Sequence, residues 1–349
     1  MTSAPPPTTA PRQPAEWGPH TACWVAWPSA EDLWLENLEP AREAWSAMAR
    51  AIAEGERLEV LVPDDEQEDL AKEALEGADA RFHRVPFGDI WLRDTAPIFV
   101  QDARGELASA RFGFNGWGGK YVLDHDAEVS ARVAAIAGLP ERAVPWILEG
   151  GSIDVDGEGT CLTTRQCLLN PNRNPSMDAR AIEAGLRETL GVEKTIWLGD
   201  GLLNDHTDGH VDNVARFVAP GVALCMEARS ADDPNRAALD ALYRELAAAT
   251  DARGRRLEVV RIPSPGRVEG EDGRVVPASF ANFYIGNRAV VVPTYGTRWD
   301  DEVVETIGKL FPGRRTVGVP ALAILSGGGA FHCITQQQPA RDPARSEAR

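Results

Sequence analysis

Positive charge is scarce in this chain. Its 349 residues carry 36 Lys and Arg against 53 Asp and Glu, a formal net charge of −17. Nucleic-acid binding works through basic patches that displace counterions, so this balance argues against that class. It agrees with the steering of a small cationic substrate, and equally with plain solubility. Cysteine is also scarce: Cys23, Cys161, Cys167, Cys225 and Cys333 form an odd set of five with no Cys-x-x-Cys spacing. This excludes a small-domain disulfide framework and reads as the reduced thiols of a cytoplasmic protein. No apolar run is long enough to span a bilayer, so no membrane contact is expected. Residues 1–14 are rich in Pro and Thr without an apolar core. That excludes a signal peptide and predicts a disordered tail, and residues 340–349 read the same way. No Gly-x-Ser-x-Gly elbow occurs, which speaks against a serine hydrolase. The glycine-rich stretch from Phe114 to Tyr121 lacks the Gly-Lys-Ser/Thr order, which excludes a phosphate loop and leaves a mobile aromatic loop.

What the chain does contain is a rhythm of short strands and helices. Apolar residues at helical spacing predict helices over Leu38–Glu54, Asp64–Leu75, Glu128–Ala137, Met177–Leu190, Pro234–Ala249 and Asp301–Leu310. Gly191 reads as a C-cap. Short apolar runs between them predict strands, among them Ala22–Trp27, Leu58–Val62, Ile90–Val100 and His210–Phe217. Asp156-Gly157-Glu158-Gly159 predicts a hairpin turn, and a second hairpin is expected from Asn282–Ile285 and Ala289–Val292. The result is an α/β chain of about five helix-centred units, repeated in element order rather than in sequence. No linker rich in Gly, Pro and Ser divides it, so residues 15–339 read as one domain.

The candidate chemistry centres on Ser326-Gly327-Gly328-Gly329-Ala330-Phe331-His332-Cys333. The glycine run strips one bend of side chains and lets a ligand approach closely. Cys333 follows as a candidate nucleophile, the alternative being a small buried hydrophobe. Thr207-Asp208-Gly209-His210-Val211-Asp212-Asn213 is the densest polar cluster. On a strand, His210 and Asp212 would share one face, as a general base beside an anion. A metal held by His206, Asp208, His210 and Asp212 is less favoured, for want of a histidine pair at helical spacing. Trp91-Leu92-Arg93-Asp94 places ionisable residues beside an apolar run, with a structural Arg93–Asp94 pair as the plain alternative. Glu149-Gly150-Gly151 sets a carboxylate before two glycines. Cys161 and Cys167 read as core. One thiol, one imidazole and three carboxylates suit attack on a planar cationic carbon, and a guanidinium matches, because its N–H fork pairs with carboxylates. Asp94 and Asp212 would hold it over Cys333. His210 would protonate departing ammonia, then activate water against a thiouronium intermediate.

Five motifs in order, those around Trp91, Glu149, Leu168–Pro175, Thr207–Asn213 and Gly327–Gln337, resemble the agmatine deiminase family of the guanidine-modifying superfamily, which includes peptidylarginine-deiminase-like proteins. The likeness runs from about Pro14 to Pro339. It implies a five-bladed α/β propeller with pseudo-fivefold symmetry and a central active-site channel. It implies Cys333 as nucleophile and His210 as acid and base. Asp94 and Asp212 would bind the guanidinium, Glu149 would bind it or orient His210, and Trp91 and Gly329 would line the substrate's path. It implies no metal and no cofactor, a homo-oligomer of two or more subunits, and hydrolysis of agmatine to N-carbamoylputrescine and ammonia, in putrescine and polyamine metabolism. The chain departs from the family's pattern at Asn204-Asp205-His206-Thr207, where a more acidic run is common. A deiminase of free or peptidyl arginine, with Arg165 or Arg267 meeting the α-carboxylate, and a non-catalytic binding protein are the alternatives.

Overall fold

The structure is a computed structural model and describes residues 11–341. Residues 1–10 and 342–349, which hold most of the two expected tails, lie outside the described residues. Arg12 and Gln13, assigned to the first tail, make backbone hydrogen bonds to Gln101 and Leu190.

The strands form five sheets with one shared order. In four of them a hairpin is followed by a helix and a third strand parallel to the second. Ile98–Gln101 pairs antiparallel with Leu107–Gly113, which pairs parallel with Glu141–Ile147 across the helix Asp126–Ala137. Ile153–Val155, Thr160–Thr164 and Lys194–Leu198 repeat this around Ala179–Leu190. Ala215–Ala219, Val222–Glu227 and Glu258–Pro263 do so around Arg236–Ala248. Tyr284–Ile285, Ala289–Thr294 and Arg315–Pro320 do so around Asp300–Leu310. Both expected hairpins are present, and Gly191 caps its helix at φ +68°.

The remaining sheet joins the two ends of the chain. Thr335–Pro339 lies antiparallel to His20–Ala26, which pairs parallel with Arg57–Val62 and onward with Ala80–Arg84. Cys333 therefore sits at the seam between the beginning and end of the fold. Burial follows the apolar periodicity, with Trp24, Trp45, Met48, Ile52, Phe217, Phe280, Phe283 and Phe331 fully enclosed. Among the described residues no helix is long and apolar enough to cross a membrane.

Two strand expectations are corrected. Residues 92–95 form a helical turn rather than the first half of a strand. Trp91 C=O accepts the N–H groups of Asp94 and Thr95 and the Thr95 hydroxyl, so the turn satisfies its own backbone. His210 does not begin a strand either. It caps a tight 3-10 turn over Val211–Asn213, and the strand starts at Ala215. Apolarity marked both stretches as buried, but burial does not by itself choose between turn and strand.

One polar network lies at the centre. Glu16 is buried and contacts Arg216, Arg93 at 3.3 Å and His332 Nε2 at 2.9 Å. Arg216 also donates to Asp154 at 2.6 Å and to the Phe283 carbonyl at 2.9 Å. Arg93 also donates to the side-chain oxygens of Gln336 and Gln337, at 2.8 and 2.7 Å. Burial pushes the Glu16 carboxyl up, but Arg216, His332 and Arg93 outweigh it and hold the pKa well below the usual value. Such a group stabilises fully above the unfolded carboxylate pKa and loses that contribution as pH falls through the folded one. Glu16→Ala takes from buried Arg93 its carboxylate partner and leaves Arg216 with Asp154 alone, and should cost about 3–5 kcal/mol in chemical denaturation at neutral pH, less in acid. A loss below about 1 kcal/mol, the scale of an exposed pair, would contradict the central role given to Glu16.

Candidate active site

The candidate residues sit just ahead of the first strand of successive sheets. Asp94 precedes Ile98–Gln101, Glu149 precedes Ile153–Val155, and His210 and Asp212 precede Ala215–Ala219. Asn282 precedes Tyr284–Ile285, and Cys333 precedes Thr335–Pro339. Residues far apart in the chain thereby meet in one place.

At Cys333 the backbone is fixed first. Its carbonyl accepts the Arg93 N–H at 3.0 Å, and its own N–H donates to Asn282 Oδ1 at 3.3 Å. The same Asn282 donates its amide nitrogen to Cys333 Sγ at 3.0 Å. Asp212 Oδ2 lies 3.6 Å from that sulfur and 2.7 Å from His332 Nδ1. Asp94 accepts from Gly151 N–H and from Trp117 Nε1, each at 2.9 Å, and its Oδ2 lies 3.8 Å from His210 Nδ1. Glu149 Oε1 accepts from Arg173 Nε at 2.7 Å. Four buried polar atoms here have no hydrogen-bond partner: both ring nitrogens of His210, Glu149 Oε2 and Asp212 Oδ1. A ligand rich in N–H donors suits the two carboxylate oxygens among them.

A cavity of about 300 Å³ opens onto Cys333 and Asp94. Trp34, Asp89, Trp91, Trp117, Tyr121, His206 and the run Gly327–Gly329 also line it. The glycines are required there. A Cβ on Gly329 would sit 3.0 Å from Cys333 Sγ and 2.8 Å from Trp91 Cζ3. Trp91 and Gly329 both line this cavity.

The electrostatics are those of an acidic, enclosed pocket. Burial, then Asp212 and Asp94, push the Cys333 thiol well above its usual pKa. Burial also raises Asp94, with Asp212 and Glu149 adding to the rise. Burial opposes a charge on His210, but Asp94, then Cys167 and Glu149, outweigh it and hold the imidazole well above its usual value. Burial raises Asp212 as well, yet His332 outweighs it and keeps that carboxyl low. At neutral pH the resting site therefore holds a thiol, an imidazolium and at least one carboxylate.

Several expectations change. Arg93 and Asp94 do not pair: Arg93 faces Glu16, Gln336 and Gln337, and Asp94 faces the site. The aromatic loop is anchored rather than mobile, since Trp117, at φ +52°, donates to Asp94. The four-residue metal set does not converge. His206 stacks on Tyr121, Asp208 is held by Lys120 and Arg173, and Asp212 is held by His332. One group among the described residues has ligand spacing, Glu149 with Cys167 and His210, within 4.8 Å. Arg173 already sets a fixed cation against that glutamate. Cys167 is core, as expected, yet borders the site.

Sequence reasoning missed Asn282, Glu16, Trp117 and Arg173 and gave His332 no role. For Asn282 a signal existed, because it lies in the short segment before a first strand, which carries a functional residue in the other sheets.

Known proteins resemble this chain over nearly its whole length. The model of the Porphyromonas-type peptidyl-arginine deiminase family matches residues 12–339. The agmatine deiminase of Stutzerimonas stutzeri is 42% identical over 361 residues, covering 95% of this chain and 98% of that protein. The solved agmatine deiminase of Enterococcus faecalis superposes with a TM-score of 0.90 at 35% identity, covering 95% of this chain and 97% of the other. A substrate-bound agmatine deiminase from C. jejuni gives 0.87 at 27%, covering 95% and 97%. Fold and relatives define the class: a mixed α/β hydrolase acting on carbon–nitrogen bonds. The chain belongs to the Porphyromonas-type peptidyl-arginine deiminase family, as the resemblance of its motifs implied.

Two measurements check the site. A Cβ on Gly151 would lie 2.7 Å from His210 Nδ1, 2.9 Å from Asp212 Oδ2 and 3.1 Å from Asp94 Oδ1. Gly151→Ala should lower kcat/KM about 100-fold, the scale of a misplacement near 1 Å, in a protein that still folds. Unchanged activity would show that these three groups are not used together. In the free protein, alkylation of Cys333 by iodoacetamide should keep accelerating above pH ~8.5, where an ordinary thiol levels off. A plateau near neutrality would mean a preformed thiolate.

Proposed function

We propose that the chain is an agmatine deiminase, hydrolysing agmatine to N-carbamoylputrescine and ammonia through a covalent intermediate on Cys333. The observation that carries this is the cavity at Cys333. Among the described residues, its lining holds carboxylates and aromatic rings but no Lys or Arg. A guanidine with a cationic tail suits it. Free arginine brings an α-carboxylate that would find no cation there. Arg165 and Arg267 pair with Glu245 and Glu269 at the surface instead.

In this reading the guanidinium lies between Asp94 and Asp212, with Asp212 Oδ1 and Glu149 Oε2 accepting its N–H groups. Its positive charge offsets the carboxylates that hold the thiol protonated, so binding itself favours the thiolate. Cys333 Sγ attacks the central carbon and its proton leaves the site as the S–C bond forms. His210, charged in the resting site, gives its proton to one nitrogen. The C–N bond breaks and ammonia departs, leaving an S-alkylthiouronium. The now neutral His210 takes a proton from water, whose oxygen attacks the same carbon. The C–S bond breaks, the hydroxyl gained from water passes its proton to the departing sulfur, and the ureido product and the resting thiol are left. Thiol, imidazole and water balance every step without a cofactor. Asn282 steadies the sulfur throughout.

Residues 15–339 form the single catalytic domain in this proposal. Its five sheets are the blades of an α/β propeller with pseudo-fivefold symmetry around a central channel. The shared strand order and the sheet that joins both chain ends support this arrangement. Five free, buried cysteines support a cytoplasmic setting.

Purified protein should release ammonia from agmatine and form a ureido product, with or without a strong chelator. Cys333→Ala should be silent. Trapping by acid should yield protein carrying agmatine minus ammonia on Cys333. Ammonia release by the Cys333→Ala protein would sink the mechanism. Faster turnover of arginine or an arginine peptide would move the assignment to another guanidine.

A further inference from the structure

We infer that Asp89 binds the cationic far end of the substrate, an alkylammonium carried on the guanidine, and thereby sets substrate choice. The inference rests on the proposed deiminase activity and extends it to a residue outside the guanidinium-binding set.

Asp89 is a buried carboxylate on the wall of the same cavity as Cys333. Its Oδ2 accepts from Trp91 Nε1 at 2.7 Å, and its Oδ1 accepts from Trp34 Nε1 and from Ile90 N–H, each at 2.9 Å. Three neutral donors fix its orientation, and none cancels its charge. A carboxylate offers about four lone-pair sites, so one acceptor position remains. The charged neighbours of Asp89 are other acids, Asp32 and Asp126. A buried anion without a counter-ion is costly, and a bound ammonium would supply one.

The spacing from the thiol is also set by the wall. The Gly329 Cβ position touches both Cys333 Sγ, at 3.0 Å, and Trp91 Cζ3, at 2.8 Å. This edge of the indole and the thiol both crowd the Gly329 bend, and the opposite edge, the N–H, holds Asp89. Trp34 runs alongside, ring centroids 6.1 Å apart and planes at 22°, and its N–H edge reaches the same carboxylate. A short alkyl chain would run along the indoles and end at Asp89, where the rings also favour a cation.

Among the described residues, no other acid is placed for this task. Asp94, the other carboxylate in the lining, stands beside the thiol and is used by Gly151 and Trp117. Asp205 turns inward to Thr207 and Asn213, and Asp208 is taken by Lys120, Arg173 and Asn172. From that run only His206 and Thr207 reach the cavity.

The test compares agmatine, n-butylguanidine and 4-guanidinobutanoate, whose tails are cationic, neutral and anionic, on the wild type, Asp89→Asn and Asp89→Ser. The wild type should rank them in that order. Both substitutions should lower kcat/KM for agmatine about 10- to 100-fold, mainly through KM, while n-butylguanidine changes by less than about threefold. Equal losses on agmatine and n-butylguanidine would reduce Asp89 to a support for the indoles and overturn the inference. So would an unchanged agmatine constant. If neither variant folds, the wild-type ratio decides: a ratio of agmatine to n-butylguanidine near one overturns the ammonium site. Turnover of n-butylguanidine without agmatine preference removes this inference alone. No ammonia from any of the three removes the deiminase reading with it.

Discussion

A single buried carboxylate, Glu16, constrains both the fold and the site. It meets Arg93, Arg216 and His332, and all four side chains are buried. Charges in such a place persist only when paired and fully hydrogen-bonded, so the segments that carry them must arrive in one arrangement. Arg216 brings the strand Ala215–Ala219 against Asp154 and the Phe283 carbonyl, and Arg93 brings the turn after Trp91 against the last strand. His332 passes the constraint on. Its second ring nitrogen holds Asp212, and Asp212 borders Cys333. Oxygen Oδ2 of Asp212 is thus committed to the scaffold, while Oδ1 has no protein partner. The packing problem and the orientation of the site share one solution.

The site is built with an excess of negative charge, and that decides how it works. Cys333 in isolation would be a poor nucleophile, because burial and two carboxylates hold its proton on. The same carboxylates make a cation the natural ligand. In the proposed reaction, a guanidinium settling between them removes the reason for the raised thiol pKa at the moment the target carbon arrives. His210 responds to the same field in the opposite sense and is charged when ammonia needs a proton. Activation is therefore coupled to binding the right charge. A neutral molecule in the cavity would leave the thiol protonated. This couples selectivity to rate, because the interaction that recognises the substrate also prepares the nucleophile.

Much of this was legible in the sequence, for reasons that differ from residue to residue. Cys333 stood out because three glycines precede it, and those glycines prove necessary where Trp91 and the thiol crowd the bend. The hairpin at Asp156–Gly159 and the cap at Gly191 were readable because turn chemistry is local. His210 and Asp212 were rightly paired for a wrong reason: a tight turn, not an alternating strand, brings them to one site. Arg93 was misread because adjacency in sequence suggested a pair with Asp94, whereas the helical turn sends the two side chains to different partners. Glu16 was not readable at all. It lies 200 residues from Arg216 and 316 from His332, and nothing local announces such a contact.

The repetition of the fold accounts for how one site draws on so much of the chain. The short segment before each first strand recurs in all five sheets, and the sequence fills it with a varied set: Asp94, Glu149, Asp212, Asn282 and Cys333. Identical residues at these positions would give a symmetric site suited to a symmetric ligand. A guanidine bearing one substituent is not symmetric, and its hydrolysis needs a nucleophile on one side of the carbon and a proton donor at the leaving nitrogen. The chemistry therefore lives in the differences between these segments. The polarity of the cavity comes from parts that do not repeat, namely the glycine run, the paired indoles of Trp34 and Trp91, and the loop that carries Trp117. These non-repeating parts surround the path to the thiol rather than the thiol's own contacts to Asn282 and Asp212. The proposed reaction thus assigns substrate choice and bond chemistry to different residues, so a change in the first can leave the second intact.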